Sequence, residues 1–60
     1  MNEHPLMTVQ EAADALQVSR YSIYQLIWSN KLHSVTIGRS RRIVRESFDA
    51  YLAELIGKAQ

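Results

Sequence analysis

Apolar residues recur at two different periods along this chain, and the switches between them mark its elements. Val9, Ala12, Ala13 and Leu16 fall at i, i+3, i+4 and i+7, a single stripe of an α-helix. Thr8 stands before them with Glu11 three residues on, the form of a capping box, so a helix is predicted over about 8–16. The small Ala12 and Ala13 let another helix approach closely. Gln17, Val18 and Ser19 form a short break, with Val18 expected to plug the core and Ser19 suited to cap a second helix. No glycine or proline follows until well past Ser29. At about 100° per residue, Ile23, Leu26 and Ile27 share one side of that helix, and Tyr21, Tyr24, Gln25 and Trp28 cluster on the other. Asn30, which tolerates the left-handed conformation, is placed to end it.

The period then shortens to two. Val35-Thr36-Ile37 alternates as a strand, Gly38-Arg39-Ser40-Arg41 reads as a turn, and Arg42-Ile43-Val44 returns as a second strand. A last helix starts near residues 45–47. Phe48, Tyr51, Leu52 and Leu55 restore the helical spacing, Ile56 extends the stripe, and Gly57 is expected to end it. The predicted fold is mainly α with a small β-hairpin, in the order helix, tight turn, helix, hairpin, helix: a winged helix-turn-helix. It occupies residues 8–56, behind a flexible N-terminal arm over 1–7 that holds the only proline, Pro5, and ahead of a C-terminal tail over 57–60. The expected core is Val9, Leu16, Val18, Ile23, Leu26, Ile27, Ile37, Ile43, Phe48, Leu52 and Leu55, with Leu32 packing back on it.

Composition narrows what such a domain can do. With 60 residues and no cysteine, the chain has neither a disulfide nor a cysteine-based zinc site to support it, so one small apolar core must suffice. His4 and His33 lack partner ligands, so no metal or other cofactor is expected. No nucleophile motif, phosphate loop or paired-carboxylate constellation appears, and an enzyme is not expected. No apolar run approaches the roughly 18 residues of a membrane span. The N-terminus lacks a basic region followed by an apolar stretch, so the expected location is the cytoplasm.

Charge adds a direction. The formal net charge is only +1, yet residues 15–45 carry Arg20, Lys31, Arg39, Arg41, Arg42 and Arg45 with no acid among them. The acids stand at either end: Glu3, Glu11 and Asp14 before, Glu46, Asp49 and Glu54 after. An acid-free stretch of this kind faces a polyanion, unless folding mixes the two signs again.

The ordered set of residues resembles the excisionase-type helix-turn-helix family, a small winged-helix relative of the MerR-like DNA-binding domains. The resemblance runs over about residues 6–55. It is carried by Met7-Thr8-Val9-Gln10-Glu11-Ala12-Ala13, Leu16-Gln17-Val18-Ser19-Arg20, Ile23-Tyr24-Gln25-Leu26-Ile27, Lys31-Leu32, Ile37-Gly38-Arg39, Arg42-Ile43 and Phe48-Asp49-Ala50-Tyr51-Leu52. It implies a recognition helix over residues 19–29 and a wing over 38–42. Asn30 stands where many relatives have glycine, His33 and Val44 where they have proline, and Tyr21 where the outward residue is often small.

The candidate DNA-binding residues are therefore Ser19, Arg20, Tyr21, Tyr24 and Gln25 on the second helix, and Gly38, Arg39, Ser40, Arg41 and Arg42 on the hairpin. Arg20 has the chemistry to pair with guanine or a phosphate, Gln25 to bond adenine, and the tyrosine hydroxyls to reach either. Tyr24 has a second reading, its ring packed on the core edge. Arg39 and Arg41 suit the minor groove or its phosphates, whereas the bland reading of the same residues is a solvated turn. Arg42, within a strand, also has Glu46 and Asp49 in reach along the sequence. Trp28, late in the helix, reads as a partly buried edge residue or a protein contact.

Three functions fit these features. The first is an architectural factor of phage or mobile-element recombination, an excisionase. It would bind repeated sites on double-stranded DNA cooperatively and head to tail, bend the DNA, and direct a tyrosine or serine integrase toward excision. The second is a small transcription regulator on the same fold. The third is a protein-interaction adaptor using the Trp28 and Tyr21 face.

Overall fold

In a computed structural model, residues 5–58 are described. Strand β1 (Leu6–Thr8) leads into helix α1 (Val9–Leu16), helix α2 (Arg20–Trp28), strands β2 (Ser34–Ile37) and β3 (Ser40–Val44), and helix α3 (Arg45–Lys58). The three strands form one antiparallel sheet in the order β1-β3-β2, with the helices on one side of it. This is the winged helix-turn-helix that the period switches predict, with one strand more.

Local chemistry sets the helix ends. Thr8 Oγ1 accepts from the Glu11 N–H at 2.9 Å, and Glu11 Oε1 accepts from the Thr8 N–H at 2.8 Å, closing the capping box. At the far end Gln17 sits in the left-handed region (φ 58), the Val18 N–H reaches the Ala13 carbonyl, and the Gln17 N–H reaches the Asp14 carbonyl. That pair of bonds is a Schellman closure. The same closure ends α2: Asn30 takes φ 64, the Lys31 N–H donates to the Leu26 carbonyl, and the Asn30 N–H donates to the Ile27 carbonyl. Asn30 pays little for this conformation, but Gln17 has no short side chain to compensate. Gln17→Gly should therefore stabilise the domain by up to about 1 kcal/mol, a rise in melting temperature of roughly 4–8 °C for a chain this small. An unchanged or lower melting temperature by circular dichroism would show that the turn stores no strain.

The core holds Met7, Val9, Ala12, Ala13, Ile23, Leu32, Ile43 and Phe48, with Leu16, Leu26, Ile27, Tyr24, Tyr51 and Leu52 packed around it. Three residues expected inside are not. Val18 and Leu55, 41% and 39% exposed, line an open groove between α2 and α3 beside Leu16, Leu26 and Tyr51. Ile37 is 58% exposed because register turns it outward. Met7 pairs with Ile43 across β1 and β3, and Ser34 lies opposite Ile43 on β2. Side chains alternate along a strand, so Ile43 facing inward forces Val35 and Ile37 to the outer face, with Leu6, Arg42 and Val44.

The ends of the domain also differ from expectation. Leu6–Thr8 is a strand, so the arm expected over 1–7 does not extend through Leu6 and Met7. Residues 1–4 lie outside the described residues. Pro5 is held as well, its carbonyl accepting from the Arg45 N–H at 2.9 Å. Gly57 does not end α3, which continues through Lys58, so the tail expected over 57–60 does not include Gly57 or Lys58; the rest of it lies outside the described residues. Ser47 fastens this helix to the sheet: its hydroxyl donates to the Val44 carbonyl at 2.7 Å and accepts from the His33 N–H at 3.1 Å.

Candidate nucleic-acid interface

Helix α2 has one apolar side and one side built for contact. Ile23 is fully buried and Leu26 and Ile27 pack against the core, fixing the helix's rotation. Tyr21, Gln25 and Trp28 then face solvent, as the helical wheel requires, and Arg20 is exposed because it is the first residue of the helix. Ser19 is the N-cap; its hydroxyl accepts from the Ser22 N–H at 3.2 Å and lies 3.3 Å from the Ser22 hydroxyl. In the fold it starts α2. The helix carries no acidic residue, and the Arg20 side chain engages no acceptor among the described residues.

The aromatic residues of α2 form one assembly. Tyr24 is half-buried against the core edge, the second of its two sequence readings, and its ring stacks on Trp28 with centroids 6.0 Å apart. Tyr21 meets the same indole edge-on at 6.2 Å. Trp28 is 65% exposed, so the expectation that it is partly buried at an edge is corrected. Its neighbours are two rings on its own helix rather than the core.

The wing is a two-residue hairpin. Ile37 pairs with Ser40, and Gly38 and Arg39 make the loop. Gly38 takes φ +61 while Arg39 does not take a positive φ, the sign pattern of a type II′ turn. A side chain at position 38 would have room but not the right backbone conformation. Ser40 opens β3 and is exposed.

Register divides the three wing arginines. Arg41 lies on the sheet face shared with Met7 and Ile43, the face the helices cover, and donates to Ser34 Oγ at 2.8 Å. Arg39 sits at the tip, exposed, with no side-chain acceptor among the described residues. Arg42 points to the opposite face. There it donates to the Arg41 carbonyl at 3.3 Å and borders a shallow depression with Pro5, Leu6, Thr8 and Glu11. The sequence alternative that turned Arg42 toward Glu46 or Asp49 is not what the structure shows. Folding leaves the charge separation intact locally: α2 and the hairpin are acid-free, while Glu46, Asp49 and Glu54 are exposed on α3.

Comparison with known proteins agrees with this architecture. A family model described as "Helix-turn-helix domain" matches residues 6–55. A curated protein named "Probable excisionase" from Saccharopolyspora erythraea is 47% identical over 53 residues, covering 88% of this chain and 54% of that protein. The chain thus spans about half the length of this relative. With a capped second helix, an arginine-bearing wing and a family match across nearly the whole domain, the chain belongs to the helix-turn-helix domain family of DNA-binding modules.

Proposed function

We propose that the chain is an excisionase-type architectural factor that binds repeated DNA sites cooperatively, bends the DNA and directs an integrase toward excision. The observation that carries this reading is the acid-free surface of α2, set by Ile23 to face solvent, together with Arg39 and Arg41 on a wing projecting from the same fold. Arg20 and Gln25 supply base-reading chemistry on that helix, and the wing arginines supply phosphate contacts. The name of the relative from Saccharopolyspora erythraea supports the recombination setting.

One recognition helix of nine residues and one wing read only a few base pairs. Specific sites need roughly 10³–10⁷ over random DNA, more than so short a contact provides. Adjacent copies supply the rest through effective concentration. The exposed acids of α3 and the basic wing are unlike surfaces, which suits head-to-tail contacts that extend along DNA without closing. Titration onto a fragment carrying several adjacent sites tests this reading. The expected result is stepwise complexes in which each later copy binds roughly tenfold more tightly than on an isolated site, equivalent to about 1.4 kcal/mol of neighbour contact. Circularly permuted fragments should reveal a bend that grows with occupancy. Independent filling of straight DNA would overturn the architectural reading and leave a small regulator that acts by occlusion.

A further inference from the structure

The aromatic assembly on α2 presents ring faces and edges beside the hydroxyls of Tyr21 and Tyr24, an apolar surface that hydrogen bonding to base or phosphate does not use. Tyr21 and Trp28 are the most exposed large rings of the helix, 62% and 65%. Seven residues separate them, about 10.5 Å along the axis, yet their ring centroids are 6.2 Å apart. Long helical side chains lean toward the N-terminus, and this lean carries the indole back over the preceding turns. Tyr24 stacks beneath it and holds it there. Although Trp28 is the last residue of α2, its ring therefore covers the middle of the recognition surface.

Charge decides what meets this ledge. It is bordered on the helix by Arg20 and Gln25 and has no acidic neighbour on α2, an arrangement that attracts a polyanion. In the major groove the apolar group available to such a surface is the thymine 5-methyl, the only methyl a base edge presents there. We infer that Trp28, seated on Tyr24 and flanked by Tyr21, reads thymine methyl groups in the major groove and gives the domain a preference for thymine at the positions it covers. This inference rests on the DNA-binding reading above and assigns α2 a contact that hydrogen bonding alone does not provide.

Uracil isolates the effect, because it differs from thymine in the major groove only by the missing methyl. Sites are selected from a random duplex library with the wild-type protein, and each selected thymine is replaced in turn by deoxyuridine. Replacement under the ledge should weaken binding about fourfold, the effect of burying one methyl-sized group. Trp28→Ala should bind the thymine and uracil duplexes equally. The protein contains a single tryptophan, so emission reports on this ring alone and should change more on the thymine duplex. Equal wild-type affinity for both duplexes, or the same penalty in Trp28→Ala, overturns the inference while leaving DNA binding in place. Failure to enrich or bind any duplex overturns the DNA-binding reading itself and hands the ledge to a protein partner.

Discussion

Phe48→Ala is expected to leave little folded protein at 37 °C. The ring is 4% exposed and joins the cluster of Met7, Ala12, Ile23, Leu32 and Ile43 from the side of α3. It is the only fully buried side chain that the described part of α3 contributes, because Tyr51 and Leu52 are half-buried and Leu55 and Ile56 are exposed. Removing a buried phenylalanine costs about 3–5 kcal/mol. A domain of this size has only a few kcal/mol in total, at roughly 0.05–0.15 kcal/mol per residue. No disulfide is present to hold the chain together once the core opens. Leu55→Ala on the same helix provides the control. Its side chain is 39% exposed in the open groove, and its loss should cost about 1 kcal/mol or less. Thermal and urea melts followed by helical circular dichroism distinguish the two. A Phe48→Ala melt within a few degrees of wild type would mean that α3 is not docked through this ring.

Elements with local causes were legible in the sequence, and those with distant causes were not. The start of α1 follows from Thr8 and Glu11 alone, so its capping box could be read directly. The end of α2 follows from Asn30 and the break after α1 from Gln17-Val18-Ser19, but the left-handed conformation of Gln17 does not, because glutamine carries no signal for positive φ. Strand β1 is three residues long and exists only because β3 passes beside it, which hydrophobic periodicity over so short a stretch does not encode. Ile37 was misplaced for a related reason. Val35-Thr36-Ile37 alternates correctly, but alternation fixes that two faces differ, not which of them is inside. Met7 settles the matter by pairing with Ile43, and Met7 belongs to the strand the sequence hides. On the interface, the outward arc of α2 was legible because the aliphatic positions fix the wheel. The lean of Trp28 over its own helix, and the separation of Arg41 from Arg42, needed side-chain direction and strand register.

That separation sets the second large expected effect. Replacing Arg39 and Arg41 together by alanine should weaken binding to cognate and random duplexes alike and flatten its dependence on salt. Both guanidinium groups are exposed, one at the wing tip and one on the helix-bearing side of the sheet. On the proposed function these two groups meet phosphates, and each neutralised phosphate contributes roughly 0.9 to the slope of log affinity against log salt. Losing two should reduce the slope by about 1.8. The cost to folding is small, since the bond from Arg41 to Ser34 Oγ lies at an exposed position. Arg42→Ala is the internal comparison. Its side chain points to the outer face of the sheet, beside Thr8 and Glu11 and opposite to Arg41. It should therefore leave the slope nearly unchanged although it removes the same charge from the same strand. Equal effects at positions 41 and 42 would mean that the wing acts through net charge rather than through placed contacts. An unchanged slope in the double variant would return the hairpin tip to the status of a solvated turn, and DNA affinity would then rest on α2 alone.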